Sequence, residues 1–213
     1  MRERQLVYLV RHGQTAWAAS MRHTGHTDIP LTDEGKQEAA VLRHVFQDVD
    51  FDLVLSSPLQ RALETCRIAG LAERVRTTPD LMEWDYGDYE GKTTAEIRNR
   101  VPGWTVFTHP CPGGETIDQV SGRADRVIAE IRQVNGITAV FAHGHLLRVL
   151  AARWLGLESG HGRFLALGTG TLSVIGYDSR NSVIKTWNGP LLTAACALSH
   201  IAKESEMNRK KTP

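Results

Sequence analysis

Histidines and two arginines stand where apolar runs of this chain break off into polar residues. The run QLVYLV ends at Arg11-His12-Gly13, and FDLVL gives way to Ser56-Ser57-Pro58 with Arg61 close behind. ITAVFA runs straight into His143-Gly144-His145. An arginine's planar fork matches phosphate oxygens bidentately, and two such forks together select a dianionic group. A histidine beside them is either a ligand for that anion or a nucleophile towards it. Residue types and spacing reach "an anion site with two histidines" and name no reaction.

These groups can act together only if the elements that carry them bring them to one place. Gln5–Val10, Phe51–Leu55 and Ile137–Ala142 are continuous apolar runs, which suits strands buried on both faces. A short strand near Val75 and late strands over Thr171–Tyr177 and Ser182–Trp187 complete a sheet. Between them Thr32 caps a helix over Asp33–Gln47, and Ser57 with Pro58 starts one that reaches Ala69 and stops at Gly70. Thr116–Val134 is the clearest amphipathic helix, and Leu146–Leu155 is apolar nearly all round. Strands alternating with helices predict an α/β fold, a three-layer α/β/α arrangement with a mostly parallel central sheet. Such sheets bind ligands beyond the carboxyl ends of their strands, so the three polar segments are expected on one rim. Residues 84–114, rich in Gly, Pro, Tyr and Trp, form an irregular cover. One domain is expected over 1–192, and 193–213 is a polar, poorly ordered tail.

Composition removes several classes. Twenty-five Lys and Arg against twenty-four Asp and Glu leave a net charge of +1, without the basic excess of a nucleic-acid binder. No apolar run reaches the roughly 18–20 residues of a membrane span. Met1–Val10 lacks a signal peptide's apolar region, so a cytoplasmic location is expected. Three cysteines, far apart and without Cys-x-x-Cys, argue against a disulfide framework or a zinc ribbon. Among nine histidines, His23-x-x-His26 and His143-x-His145 have no accompanying Cys or carboxylate set, so no metal site is expected.

Five segments, in order, carry a resemblance. Leu9-Val10-Arg11-His12-Gly13-Gln14-Thr15 resembles the signature of the histidine phosphatase superfamily, the phosphoglycerate mutase-like proteins. Thr24-Gly25-His26-Thr27-Asp28-Ile29-Pro30-Leu31-Thr32 is similar to its G-x-x-D-x-P-L-T, and Ser56-Ser57-Pro58-Leu59-Gln60-Arg61-Ala62 to its S-S-P-x-x-R-A. Leu81-Met82-Glu83-Trp84-Asp85-Tyr86-Gly87 with Glu90-Gly91 is similar to its acid motif, and Phe141-Ala142-His143-Gly144-His145 to its second histidine motif. The resemblance covers roughly Leu6–Pro190. It implies that His12 is the nucleophile, forming a phosphohistidine, and that Arg11, Arg61 and His143 surround the transferring phosphoryl oxygens. Glu83 then protonates the leaving oxygen and later activates water. Gln14, Thr24 and Gly25 match family positions at the pocket mouth and are candidate substrate contacts, with Gly144, His145 and Tyr86 beside them. Arg61 near a helix N-terminus opposes the helix dipole, which a phosphate partner would explain. Arg148 and Trp154 read as structural.

Within the superfamily the mutases carry an arginine where Trp84 stands, and their G-L-N-K continuation is replaced by Gly91-Lys92-Thr93-Thr94. The groups that would hold a phosphoglycerate carboxylate are absent. The E-W-D-Y-G-D-Y-E-G run, with Gly113-Gly114-Glu115 nearby, is closer to the sugar-bisphosphatase and bacterial acid phosphatase members. What the resemblance implies is a phosphatase that needs no cofactor and hydrolyses a small phosphorylated metabolite, a sugar phosphate or bisphosphate, releasing phosphate. The rivals are a phosphoglycerate mutase and a non-catalytic phosphate-binding module. Members of this fold are often dimers or tetramers, which implies a homodimer or higher homo-oligomer.

Overall fold

In the computed structural model, which describes residues 5–190, the chain runs β1 (Leu6–Arg11), α1 (Ala16–Ala19), α2 (Asp33–Phe46), β2 (Leu53–Ser56), α3 (Gln60–Ile68) and β3 (Val75–Thr77). It continues through α4 (Thr94–Arg98), α5 (Ile117–Ile131), β4 (Ile137–Ala142), α6 (Gly144–Trp154), β5 (Thr171–Asp178) and β6 (Asn181–Pro190). The tail expected over 193–213 lies outside the described residues. The strands form one sheet in the order β3-β2-β4-β1-β5-β6. The first four are parallel, while β5 runs antiparallel to both β1 and β6. The last reversal follows from chain length: only a tight turn joins β5 to β6, and a parallel pair would need a crossover.

Both faces of the sheet are covered. Val7, Leu9, Leu55, Val140 and Ile175 pack on the α5 and α6 side with Val120, Val127, Leu146 and Leu150. Tyr8, Val10, Val54, Ala139 and Phe141 pack on the α2 and α3 side with Leu42, Phe46 and Cys66. Alternate residues of β1 therefore feed opposite cores, as the period of a strand requires. The α5 start is a capping box: Thr116 Oγ1 accepts from Gln119 N, and the Gln119 side chain accepts from Thr116 N.

One boundary differs from its expectation in a telling way. The helix signalled by Ser57-Pro58 begins at Gln60, because Leu59 stays extended at ψ 132°. Ser57 Oγ accepts from Leu59 N at 3.2 Å, and the helix is capped from a distance, with Gln60 N donating to Asp28 Oδ1 at 2.8 Å. Register then sets the site. Arg11 pairs with Ala142, and Ser56 with Phe141, so β1, β2 and β4 end level on one rim.

Candidate active site

His12 follows directly from β1 and is 4% exposed. Its backbone N donates to Ala142 O at 3.0 Å, and its carbonyl accepts from Gly170 N at 3.0 Å. Nδ1 lies 2.7 Å from Gly13 O. A carbonyl oxygen only accepts, so Nδ1 carries the proton and Nε2 keeps a lone pair. Burial first, then the charges of Arg61 and Arg11, holds the ring's pKa well below 6.5 and outweighs the opposing Gly13 bond. The turn after it is clamped by backbone. A Cβ at Gly13 would lie 2.2 Å from Gly35 O, and Gly13 N donates to Thr65 Oγ1 at 3.1 Å.

Behind His12 sits a buried pair. The Arg61 side chain, in the first turn of α3, has no exposed surface, nor has His143. Arg61 Nε donates to His143 Nδ1 at 3.2 Å, so the His143 proton is on Nε2, which donates to Ser57 Oγ at 2.8 Å. The remaining Arg61 bonds go to the carbonyls of Thr24, Gly25 and Thr27 at 3.2, 2.8 and 3.0 Å. Those loop carbonyls compensate a cation placed against the helix dipole, a partner that sequence could not supply. The His12 and His143 rings lie 5.2 Å apart. Burial, then Arg61, holds His143 neutral with a pKa well below 6.5.

Arg11 donates from Nη1 to Leu167 O, while its Nε is buried without a hydrogen-bond partner among the described residues. A Cβ at Gly144 would come within 3.2 Å of its Cζ, so glycine there leaves the guanidinium its room. Glu83, also 4% exposed, is fixed by the start of α6: Oε2 accepts from His145 N and Oε1 from Leu146 N, each at 3.0 Å. Oε1 also accepts from Trp84 N at 2.9 Å. Carboxyl oxygens at a helix N-terminus meet N–H groups that have no partner within the helix.

Arg11, His12 and Glu83 border a cavity of about 80 Å³, whereas Arg61 and His143, expected around the phosphoryl oxygens, lie outside its lining, fully buried and bonded to each other and to protein groups. At roughly 30 Å³ per water the cavity has the room of a small oxyanion. Of the residues proposed from sequence, Arg11, His12, Thr24, Glu83, Tyr86, Gly144 and His145 line it. Tyr86 Oη and His145 Nδ1 share a hydrogen bond at 2.5 Å, and burial keeps both groups neutral, raising the phenol's pKa well above 10 and lowering the imidazole's well below 6.5. Gln14 and Gly25 lie outside the lining: Gln14 Oε1 accepts from Thr32 Oγ1 at 3.1 Å, and Gly25 N donates to Glu90 Oε1 at 2.7 Å.

Arg22, His23 and Arg148 line the cavity and were missed as site residues. Arg148 also has the structural role expected of it, donating to Gly162 O and Arg163 O at 3.0 and 3.1 Å. Its spacing three residues after His145 on α6 was the available signal. Burial lowers His23 to about 4. Trp84 and Trp104 pack in the core, 1% exposed each. No group of three or more His, Cys, Asp or Glu among the described residues could hold a metal ion, and no helix among them is long and apolar enough to cross a membrane.

Fold and cavity together define an α/β protein with a polar cavity at the carboxyl ends of its parallel strands, lined by the neutral His12 and by Arg11, Arg22 and Arg148. The family model of the histidine phosphatase superfamily (branch 1) matches residues 7–190, and the chain belongs to that superfamily. It is 39% identical over 174 residues to an acid phosphatase of Mycobacterium tuberculosis, covering 80% of this chain and 85% of that protein. It is 37% identical over 183 residues to the sedoheptulose 1,7-bisphosphatase of Saccharomyces cerevisiae, covering 70% of this chain and 67% of that protein. A solved structure of an open reading frame product from Mycobacterium tuberculosis matches with a TM-score of 0.84 at 35% identity, covering 88% of this chain and 98% of that one.

Proposed function

We propose that this chain is a metal-independent phosphatase that hydrolyses a small sugar phosphate or bisphosphate through a phosphohistidine on His12. It is a phosphatase of a phosphorylated metabolite, and one bond carries the mechanism: Nδ1–H to Gly13 O leaves Nε2 as the ring's nucleophilic atom. Nε2 attacks phosphorus as the bond to the leaving oxygen breaks, and protonated Glu83 gives that oxygen its proton. The Glu83 carboxylate then takes a proton from water, whose oxygen attacks phosphorus and breaks the P–Nε2 bond. Phosphate leaves, and both residues return to their starting forms.

Arg11 supplies charge at the phosphoryl oxygens, and its partnerless Nε is a donor awaiting an acceptor. Arg61 and His143 set the field behind His12. Positioned charge is most of the protein's work in phosphoryl transfer, and one such donor contributes about 3–4 kcal/mol. Thr24, Tyr86, Gly144 and His145 meet the substrate from the lining, and Gln14 and Gly25 act on it through the loops they fix. A sugar ester as substrate is supported by the likeness to a sugar bisphosphatase. A cytoplasmic location is supported by Cys66 and Cys111, which are buried free thiols.

The test is phosphate release, with chelator present, from p-nitrophenyl phosphate, 3-phosphoglycerate and several sugar mono- and bisphosphates. Release by the native chain and none by His12→Ala is expected. A strict metal requirement would overturn the metal-free mechanism, and an isomer of 3-phosphoglycerate in place of free phosphate would make the chain a mutase. Silence across the panel would favour a binding module.

A further inference from the structure

The Gly113-Gly114-Glu115 turn and Arg123 of α5 take no part in the chemistry above, yet both converge on the segment that carries Glu83. Arg123 grips Glu115 with a two-toothed fork, Nε to Oε1 at 2.8 Å and Nη2 to Oε2 at 2.7 Å. Its remaining hydrogen bonds go to backbone: Nη1 donates to Asp80 O and Met82 O at 2.9 and 2.8 Å, and Nη2 to Glu83 O at 3.3 Å. Glu115 holds the next residues. Its Oε2 accepts from Asp85 N at 3.0 Å, its carbonyl accepts from Trp84 Nε1 at 2.9 Å, and its N donates to Asp85 O at 2.9 Å.

The pair is largely out of water, with side chains 12% and 18% exposed. Burial acts to raise the Glu115 pKa, but the Arg123 fork and the Asp85 N–H outweigh it and hold Glu115 ionised. The glycines are needed for the approach itself. A Cβ at Gly114 would lie 2.2 Å from Asp85 O, and one at Gly87, where φ is +52°, would lie 2.2 Å from Pro112 O.

We infer that the Glu115–Arg123 pair is a positioning device for the general acid, fixing the backbone of residues 80–85 so that the Glu83 carboxyl meets the leaving oxygen. The inference rests on the acid role proposed for Glu83. That residue is then held at both ends, its backbone by the pair and its carboxylate by the N–H groups that open α6. A lysine at 123 keeps the charge but has one nitrogen, which cannot span two carboxylate oxygens and three carbonyls.

The experiment compares turnover of p-nitrophenyl phosphate, whose leaving group needs little protonation, with that of glycerol 3-phosphate, whose leaving group needs it. A misplaced acid costs about 10²-fold, so Arg123→Lys is expected to lower the glycerol-to-nitrophenyl ratio by about that factor. Inhibition by inorganic phosphate should shift less than about threefold, because phosphate binding needs no acid. Glu83→Gln should lower the ratio as well, and the double variant should lower it no further than Glu83→Gln alone. Equal losses for both esters, or an added drop in the double variant, would overturn the device. If Arg123→Lys does not fold, Glu115→Gln, which keeps the shape and removes the charge, is read by the same ratio. A flat ratio in Glu83→Gln would overturn the acid role and the device together, leaving His12 untouched.

Discussion

As the nucleophile we propose, His12 needs no external base. The Gly13 carbonyl takes the Nδ1 proton as a hydrogen-bond partner, and burial with two nearby guanidiniums keeps a second proton off Nε2. Arg11, beside it on the cavity lining, is held by the Leu167 carbonyl. The prediction at this scale concerns the nucleophile's proton. Nitrogen-15 spectra of the histidine rings, recorded without phosphate from pH 8 down to 4.5, should show His12 as the neutral Nδ1–H tautomer through pH 6.5 and below it. Because the folded pKa is lowered, protonation of Nε2 comes only at more acidic pH. A ring half protonated at 6.5 or above would contradict the burial and the charge argument alike.

At the scale of elements, the β1 end is held in place by a backbone contact with α2. A Cβ at Gly35 would lie 2.2 Å from Gln14 O, and Gly35 is the third residue of that helix. Helix propensity alone expects Gly35→Ala to stabilise by about 1 kcal/mol. The clash with main chain reverses the sign, and we expect a loss of about 1–3 kcal/mol in urea unfolding, together with reduced turnover. A stabilised variant would show that the two elements do not meet as described. Much of this scale was legible in advance. The apolar runs of β1 and β4 stop at the histidines, and both ends came within one residue of expectation. Thr32 announced its helix by capping chemistry that is local in sequence, and α5 announced itself by its amphipathic spacing. The start of α3 was misplaced because its cap, Asp28, lies 32 residues away. Glu83 could be named from its motif, but its anchorage to the first N–H groups of α6 spans more than sixty residues. Arg22 and His23 stayed hidden for the same reason, since the fold alone brings them to the cavity.

Over the whole molecule, the site makes stability depend on pH. His12, His23, His143 and His145 are all held neutral, His23 down to about 4 and the others well below 6.5. In the unfolded chain each of them takes up a proton near pH 6.5. Below that pH the unfolded state binds more protons than the folded one, so the free energy of unfolding must fall as pH falls and recover as it rises. Each histidine contributes a slope of up to about 1.4 kcal/mol per pH unit between its folded and unfolded pKa. Four together, over little more than one unit, approach the lower end of the margin of about 5–15 kcal/mol that holds a domain folded. Phosphate bound at the site opposes the trend, because it adds RT ln(1 + [L]/Kd) to the folded state alone. Urea unfolding in phosphate-free buffer at pH 7.5, 6.5 and 5.5 should therefore show a midpoint that drops steeply below 6.5 with an unchanged slope, and millimolar phosphate should restore part of the loss. A midpoint that stays level across that range would mean that these rings reach water, and that the neutral nucleophile is not built by burial.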